Sequence, residues 1–203
     1  MELKLLCLKV IVITIKMKRC KSQTSGNVRC KKSSIFDGWC YYHATKHIQI
    51  GKKLGQGFNG SVFECTIDGV LYSLKLFSNN RPESIEREKI SLLELKHVNI
   101  IKMHREIRYK DKKGHILEYA PKDLFSCMEE GLPIVKARHY VKQLLTGISY
   151  IHSQGYIYRD IKPENCLVTR EDELKICDFD TSIKAKTYVA NRLVGTTEYL
   201  APE

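Results

Sequence analysis

Residues 55 to 60 read GQGFNG, with glycines at Gly55, Gly57 and Gly60. Glycine has no side chain to hold a ligand away, so backbone N–H groups on such a loop can approach phosphate oxygens closely. The flanking residues decide which fold carries it. HIQIGKKL before the loop and SVFECTI after it both read as strands. In a dinucleotide fold the same glycines would join a strand to a helix. With Val62 two residues beyond Gly60, the loop fits instead a hairpin that covers phosphates. A second set with chemical potential is Cys20, Cys30, Cys40 and His43, spaced Cys-x9-Cys-x9-Cys-x2-His. Three thiolates and one imidazole complete a tetrahedral zinc site, and a segment this short has too little core to fold unaided. Gly26 and Gly38 would let the chain reverse between ligands. The competing reading is a flexible, reduced basic arm.

The elements that must position the first set follow in order. Asp68-Gly69 is a strong two-residue hairpin signal, and VLYSLKLF after it is a third strand. Lys75 lies inside that strand, where a lysine flanked by Leu74 and Leu76 ordinarily faces solvent. Pro82 opens a helix with Glu83 in its first turn, and the helix carries Glu88, Leu92, Leu93 and Leu95. HVNIIKM and GHILEYA are extended. KARHYVKQLLTGISYIHSQG is an amphipathic helix, with Ala137, Tyr140/Val141, Leu144, Ile148 and Ile151 recurring on one face and Gly155 as terminator. Two short strands, CLV and LKIC, flank the charged turn TREDE.

The chain has 203 residues, 43% apolar and 28% charged, enough for one domain with an appendage. Its basic excess is local: the first 50 residues hold 10 Lys/Arg and 2 Asp/Glu, net +8, while the rest hold 24 and 21. Such a cluster can meet the phosphates of nucleic acid or an anionic membrane, or serve only as a solvated tail. The opening MELKLLCLKVIVITIKMKRC holds an apolar run about half as long as a bilayer requires, and a strand or disordered leader is expected there. No membrane span is expected elsewhere. Cys65, Cys127, Cys166 and Cys177 stand singly and read as reduced thiols, which points to an intracellular protein of cytoplasm or nucleus.

Between the long helix and the short strands stands YIYRDIKPEN, and the sequence ends VGTTEYLAPE. With GQGFNGSV, Lys75, Glu88 and Asp178-Phe179, this ordered set resembles the eukaryotic-type Ser/Thr protein kinases over residues 48 to 203. Tyr158 before Arg-Asp is similar to the AGC group. The resemblance implies an α+β, bilobal kinase fold, with residues 46–119 as a β-rich N-lobe and 120–203 as a partial helical C-lobe. Residues 1–19 would be the leader and 20–45 a small zinc-binding appendage similar to the Cys3His knuckles of plant WRC type, implying Zn2+ and nucleic-acid contact.

The resemblance also implies roles. Leu54, Gly55, Gln56, Gly57, Phe58, Asn59, Gly60, Ser61 and Val62 would cover ATP. Lys75 would hold the α- and β-phosphates and pair with Glu88. Leu117 would stand as gatekeeper, Glu118 to Ala120 would face adenine, and Asp123 would meet the ribose. Asp160 would orient the substrate hydroxyl, Lys162 would stabilise the transferring phosphoryl group, and Asn165 and Asp178 would bind Mg2+. Lys162 and Thr196 point to protein Ser/Thr substrates. The family continues past Ala-Pro-Glu into helices that floor the C-lobe, so the expectation is a C-lobe truncated at Glu203, either as a fragment or truncated reading frame or with a partner that covers the gap. By analogy, the pairing of knuckle and kinase is compatible with a viral protein acting in a host cell. A pseudokinase scaffold, and a zinc-dependent nucleic-acid-binding protein with a vestigial kinase part, stay open. Where the family has Gly after Asp-Phe, this sequence has Asp180. If the strand stays extended, Asp178 and Asp180 should point to the same side, bringing extra negative charge to the metal.

Overall fold

The computed structural model describes Ser22, Gln23, Cys30 and residues 48–57, 59–78, 81–187 and 194–200. The chain divides into two compact units, Met1–Lys46 and His47–Glu203. In the first, the N–H of Cys30 donates to the Ser22 carbonyl at 2.8 Å, and Cys30 is buried. Cys20, Cys40 and His43, the other members of the zinc set, lie outside the described residues, as does Phe58 of the glycine loop.

The second unit begins with five antiparallel strands in the order β1-β2-β3-β5-β4. These are β1 (Ile48–Gly57), β2 (Gly60–Ile67), β3 (Val70–Phe77), β4 (Met103–Tyr109) and β5 (Lys112–Leu117). The turn from β2 to β3 is as read: Asp68 and Gly69 both have positive φ, at 49° and 81°, which a twisted two-residue hairpin requires. The β4–β5 turn does the same with Lys110 and Asp111, at 44° and 63°, without a glycine. At Gly60 the backbone itself demands glycine, because a Cβ there would sit 2.0 Å from the Leu76 carbonyl oxygen. Helix α1 (Pro82–Glu94) has proline in its first turn and buries Ile85, Glu88, Ser91 and Leu92.

The chain then passes through β6 (Lys122–Asp123) and α2 (Leu124–Glu129) to the long helix α3 (Ile134–Ser153). Its inner face carries Tyr140, Gly147 and Ile151, with Leu144 and Ile148 packed against the same core. A Cβ on Gly147 would meet the Ile176 side chain at 2.7 Å, so glycine lets α3 approach the strand beneath it. Val141, placed by periodicity on the inner face, is exposed, and with Ile134, Ala137 and Leu145 it lines an outer groove. Beyond α3 come β7 (Tyr156–Ile157), β8 (Cys166–Val168), β9 (Leu174–Ile176) and β10 (Ile183–Lys184). Strand β8 pairs with both β6 and β9, and β7 pairs with β10. These short ladders hold the loops that carry the polar residues. Among the described residues no helix is long and apolar enough to cross a membrane.

One core residue is costly. His115 on β5 is 0% exposed, edge-on to Phe77, and neither ring nitrogen has a hydrogen-bond partner among the described residues. Burial, then the charges of Lys75 and Lys89, push its pKa down to about 3. An unfolded histidine titrates near 6.5, so between pH 6.5 and 3 the unfolded chain binds the extra proton and stability falls with pH. By pH 5 the loss from His115 is about 2 kcal/mol. Urea midpoints measured at pH 7 and pH 5 are expected to diverge less in His115→Leu than in the wild type. Equal divergence would show that this ring does not stay neutral.

Candidate active site

The glycine hairpin is braced from within. The Gln56 side-chain oxygen accepts from Lys53 Nζ at 2.6 Å and Ser61 Oγ at 2.7 Å, and its amide donates to the Gly60 carbonyl at 3.2 Å. Gly55 and Gly57 have open space where a side chain would stand, as a loop meant to approach a ligand requires. Val62 pairs in register with Lys75 on the neighbouring strand.

Lys75 does not face solvent. It is 8% exposed, and its Nζ donates to Glu88 Oε1 and Oε2 at 2.9 and 2.7 Å and to Asp178 Oδ1 at 2.9 Å. Burial opposes its charge, but the two carboxylates outweigh burial and raise its pKa. Burial and the Asp178 charge push Glu88 up, against the pull of Lys75. Helix α1 is thus fixed to the sheet through a charge, and it is fixed twice more below. Ser91 and Ser182 share a buried hydroxyl hydrogen bond of 2.8 Å, and Arg87 donates to the Asp180 carbonyl at 2.7 Å. Neither Arg87 nor Ser91 carried a sequence signal.

Asp160, Lys162, Asn165 and Thr196 form one network. Asp160 Oδ2 accepts from Asn165 Nδ2 at 2.8 Å and lies 3.2 Å from Lys162 Nζ, while Oδ1 accepts from Thr196 Oγ1 at 2.7 Å. Lys162 Nζ also donates to Thr196 Oγ1 at 2.9 Å. Burial works against the Asp160 charge, but hydrogen bonds from Thr196, Lys162 and Asn165 overcome it and hold the carboxyl below its usual range. The carboxylate is therefore ionised at neutral pH. Tyr158, where His is more usual, is fully buried, donates to the Cys177 carbonyl and meets Phe179 edge-on at 5.1 Å. Arg159 turns its guanidinium to the Thr181 carbonyl at 2.8 Å.

One expectation needs revision. Asp178 has a φ of 56°, so the chain is not extended there and the pleat argument for Asp178 and Asp180 fails. Asp180 is outside the positive-φ region, so its backbone does not need glycine. The extra negative charge is nonetheless beside Asp178: burial, then the Asp178 charge, push the Asp180 carboxyl above its usual range. The connection between the lobes carries the residues expected beside adenine and ribose. The Glu118 side chain points to Lys175 at 3.1 Å, its backbone N–H donates to the Lys102 carbonyl at 2.8 Å, and Asp123 caps α2 through Ser126 at 2.7 Å. Leu117 and Ala120 are buried beside them.

The protein kinase domain family matches residues 48–203. The chain is similar to the Serine/threonine-protein kinase oca2 of Schizosaccharomyces pombe, 32% identical over 200 residues, covering 90% of this chain and 30% of the relative. It is 35% identical over 171 residues to human Cyclin-dependent kinase 15, covering 73% of this chain and 39% of that protein. It is 36% identical over 169 residues to Aurora/IPL1-related protein kinase 2 of Caenorhabditis briggsae, covering 76% and 55%. The chain thus spans between about a third and just over half the length of these curated relatives.

Proposed function

This chain belongs to the protein kinase family, and from that premise we propose that it transfers the γ-phosphoryl group of ATP to Ser or Thr hydroxyls of proteins. The observation that carries this is the Asp160 carboxylate, ionised and aimed by Thr196, Lys162 and Asn165. In the proposed step the substrate hydroxyl oxygen bonds to the γ-phosphorus and the bond to the β–γ bridging oxygen breaks. ADP leaves, and the hydroxyl proton passes to Asp160. Lys162 faces the oxygens on which charge develops, and Lys75 holds the α- and β-phosphates. Residues 54–62 close over the nucleotide, and buried Leu117 and Ala120 support an adenine pocket beside the backbone of 118–120.

The donor set also fits Mg2+. Asn165 spends its amide hydrogens on the Asp160 carbonyl and carboxylate, leaving its side-chain oxygen, and Asp178 keeps Oδ2 after Oδ1 accepts from Lys75. Hard oxygens of this kind suit that ion, which when bound would offset phosphate charge. Transfer of radiolabel from γ-labelled ATP to a basic Ser/Thr-rich protein tests the reading. Label that stays in ATP while nucleotide still binds would favour the scaffold instead. Tyr158 before Arg159 and Asp160 supports an AGC-like reading. The thiols Cys65, Cys127, Cys166 and Cys177 support an intracellular setting. The exposed Ile134, Val141 and Leu145 support a protein contact on the outer face of α3.

For residues 20–45 we infer a zinc knuckle that contacts nucleic acid, supported by the ligand spacing and the basic charge of the first 50 residues. Cys30→Ser is expected to remove bound zinc, measured by metal analysis, and to abolish salt-dependent nucleic-acid binding. Binding untouched by the substitution rejects the inference.

A further inference from the structure

Asn59 stands at the tip of the glycine hairpin, 121 residues from Asp180, yet its Nδ2 donates to Asp180 Oδ2 at 2.5 Å. The backbone at Asn59 is anchored separately, its carbonyl accepting from the Ser78 N–H at 2.9 Å. Asp180 is tied on its other side, where its own carbonyl accepts from Arg87 of α1 at 2.7 Å. Three parts of the site therefore meet at one residue: the hairpin, helix α1 and the segment that begins at Asp178. The Asp180 backbone lies outside the positive-φ region, so it does not require glycine. What aspartate adds is its carboxylate, and that carboxylate is directed at the hairpin.

We propose that the Asn59–Asp180 bond is a latch that holds the glycine hairpin at a fixed height over Asp178, making Asp180 a positioning residue for the phosphates of the nucleotide. The nucleotide half of this proposal rests on the phosphotransferase reading above. A hydrogen bond to a carboxylate is stronger than one between neutral groups. A strap already fixed before binding spares the nucleotide the entropy of ordering it. The latch should therefore act on affinity more than on the chemical step. Neither end of the latch touches a reacting atom in this reading.

The test uses the full chain and three variants. Asn59→Ala removes the donor, and Asn59→Asp sets two carboxylates against each other. Asn59→Asp/Asp180→Asn restores the bond with donor and acceptor exchanged. Hydrogen exchange of the peptide spanning residues 55–62, measured without nucleotide, is expected to quicken about tenfold in Asn59→Asp, less in Asn59→Ala, and to return within about threefold in the reversal. The KM for ATP is expected to rise about tenfold in Asn59→Asp, more than kcat falls, and to recover in the reversal. Exchange unchanged by Asn59→Asp, or as fast in the reversal as in the single variant, overturns the latch. A wild-type chain that transfers no phosphate overturns the phosphotransferase reading and the nucleotide half of the proposal. Exchange in the absence of nucleotide still decides the latch.

Discussion

Replacing Asp160 by asparagine is expected to lower kcat about a thousandfold while leaving the KM for ATP within about threefold of wild type. The substitution keeps the shape of the side chain and an oxygen to accept from Thr196 or Lys162. It removes the negative charge that those residues and Asn165 stabilise in the folded protein. An amide can accept a hydrogen bond but not a proton, so the hydroxyl would have to lose its proton to water. Of the groups proposed to hold nucleotide, Lys75 bonds to Glu88 and Asp178 to Lys75, neither to Asp160, so affinity should change little. Steady-state transfer of labelled phosphate, with circular dichroism to confirm the fold, measures the effect. A kcat within about threefold of wild type would remove Asp160 from the reaction and the phosphotransferase proposal with it.

The strands and the long helix were legible because their signals are local. Asp68-Gly69 declares its turn by residue type, and the periodicity of α3 places Tyr140, Leu144, Ile148 and Ile151 inward, though Ala137 and Val141 turn to the outer groove. The β4–β5 turn was not legible, since Lys110-Asp111 adopts the same geometry without glycine. Nor were β6, β7 and β10, each two residues long, which exist only because distant segments pair with them. At the site, the family resemblance singled out Asp160, Lys162, Asn165 and Thr196, which the structure joins in one network. Residue types did not reveal that Glu118 turns to Lys175, that Asp178 is left-handed, or that Asn59 reaches Asp180. Each of these is set by packing between parts of the chain far apart in sequence. Lys75 shows the same limit from the other side. Its neighbours Leu74 and Leu76 gave no hint of burial, because the charges that permit it come from another helix and another loop.

Lys75→Met should therefore damage stability and activity together, and the two can then be separated. Glu88 is 1% exposed, and without the ammonium it and Asp178 are left as neighbouring carboxylates with no cation between them. Breaking a buried pair from one side costs about 3 kcal/mol, since the remaining charge stays desolvated. That deficit should shrink as pH falls from 7 to 5. Burial and Asp178 already push Glu88 upward, and Lys75 is what opposes them. In its absence the folded state takes up a proton that the unfolded chain, titrating near 4.3, does not yet bind. Adding Glu88→Leu removes the stranded carboxylate, so Lys75→Met/Glu88→Leu is expected to regain most of the stability measured in urea. Phosphotransfer should stay lost in both variants, because no cation remains to meet the α- and β-phosphates. A Lys75→Met variant as stable as wild type would mean that Glu88 is not stranded, and that the pair does not hold α1 to the sheet. Recovery of activity along with stability in the double variant would mean that the charge served packing alone.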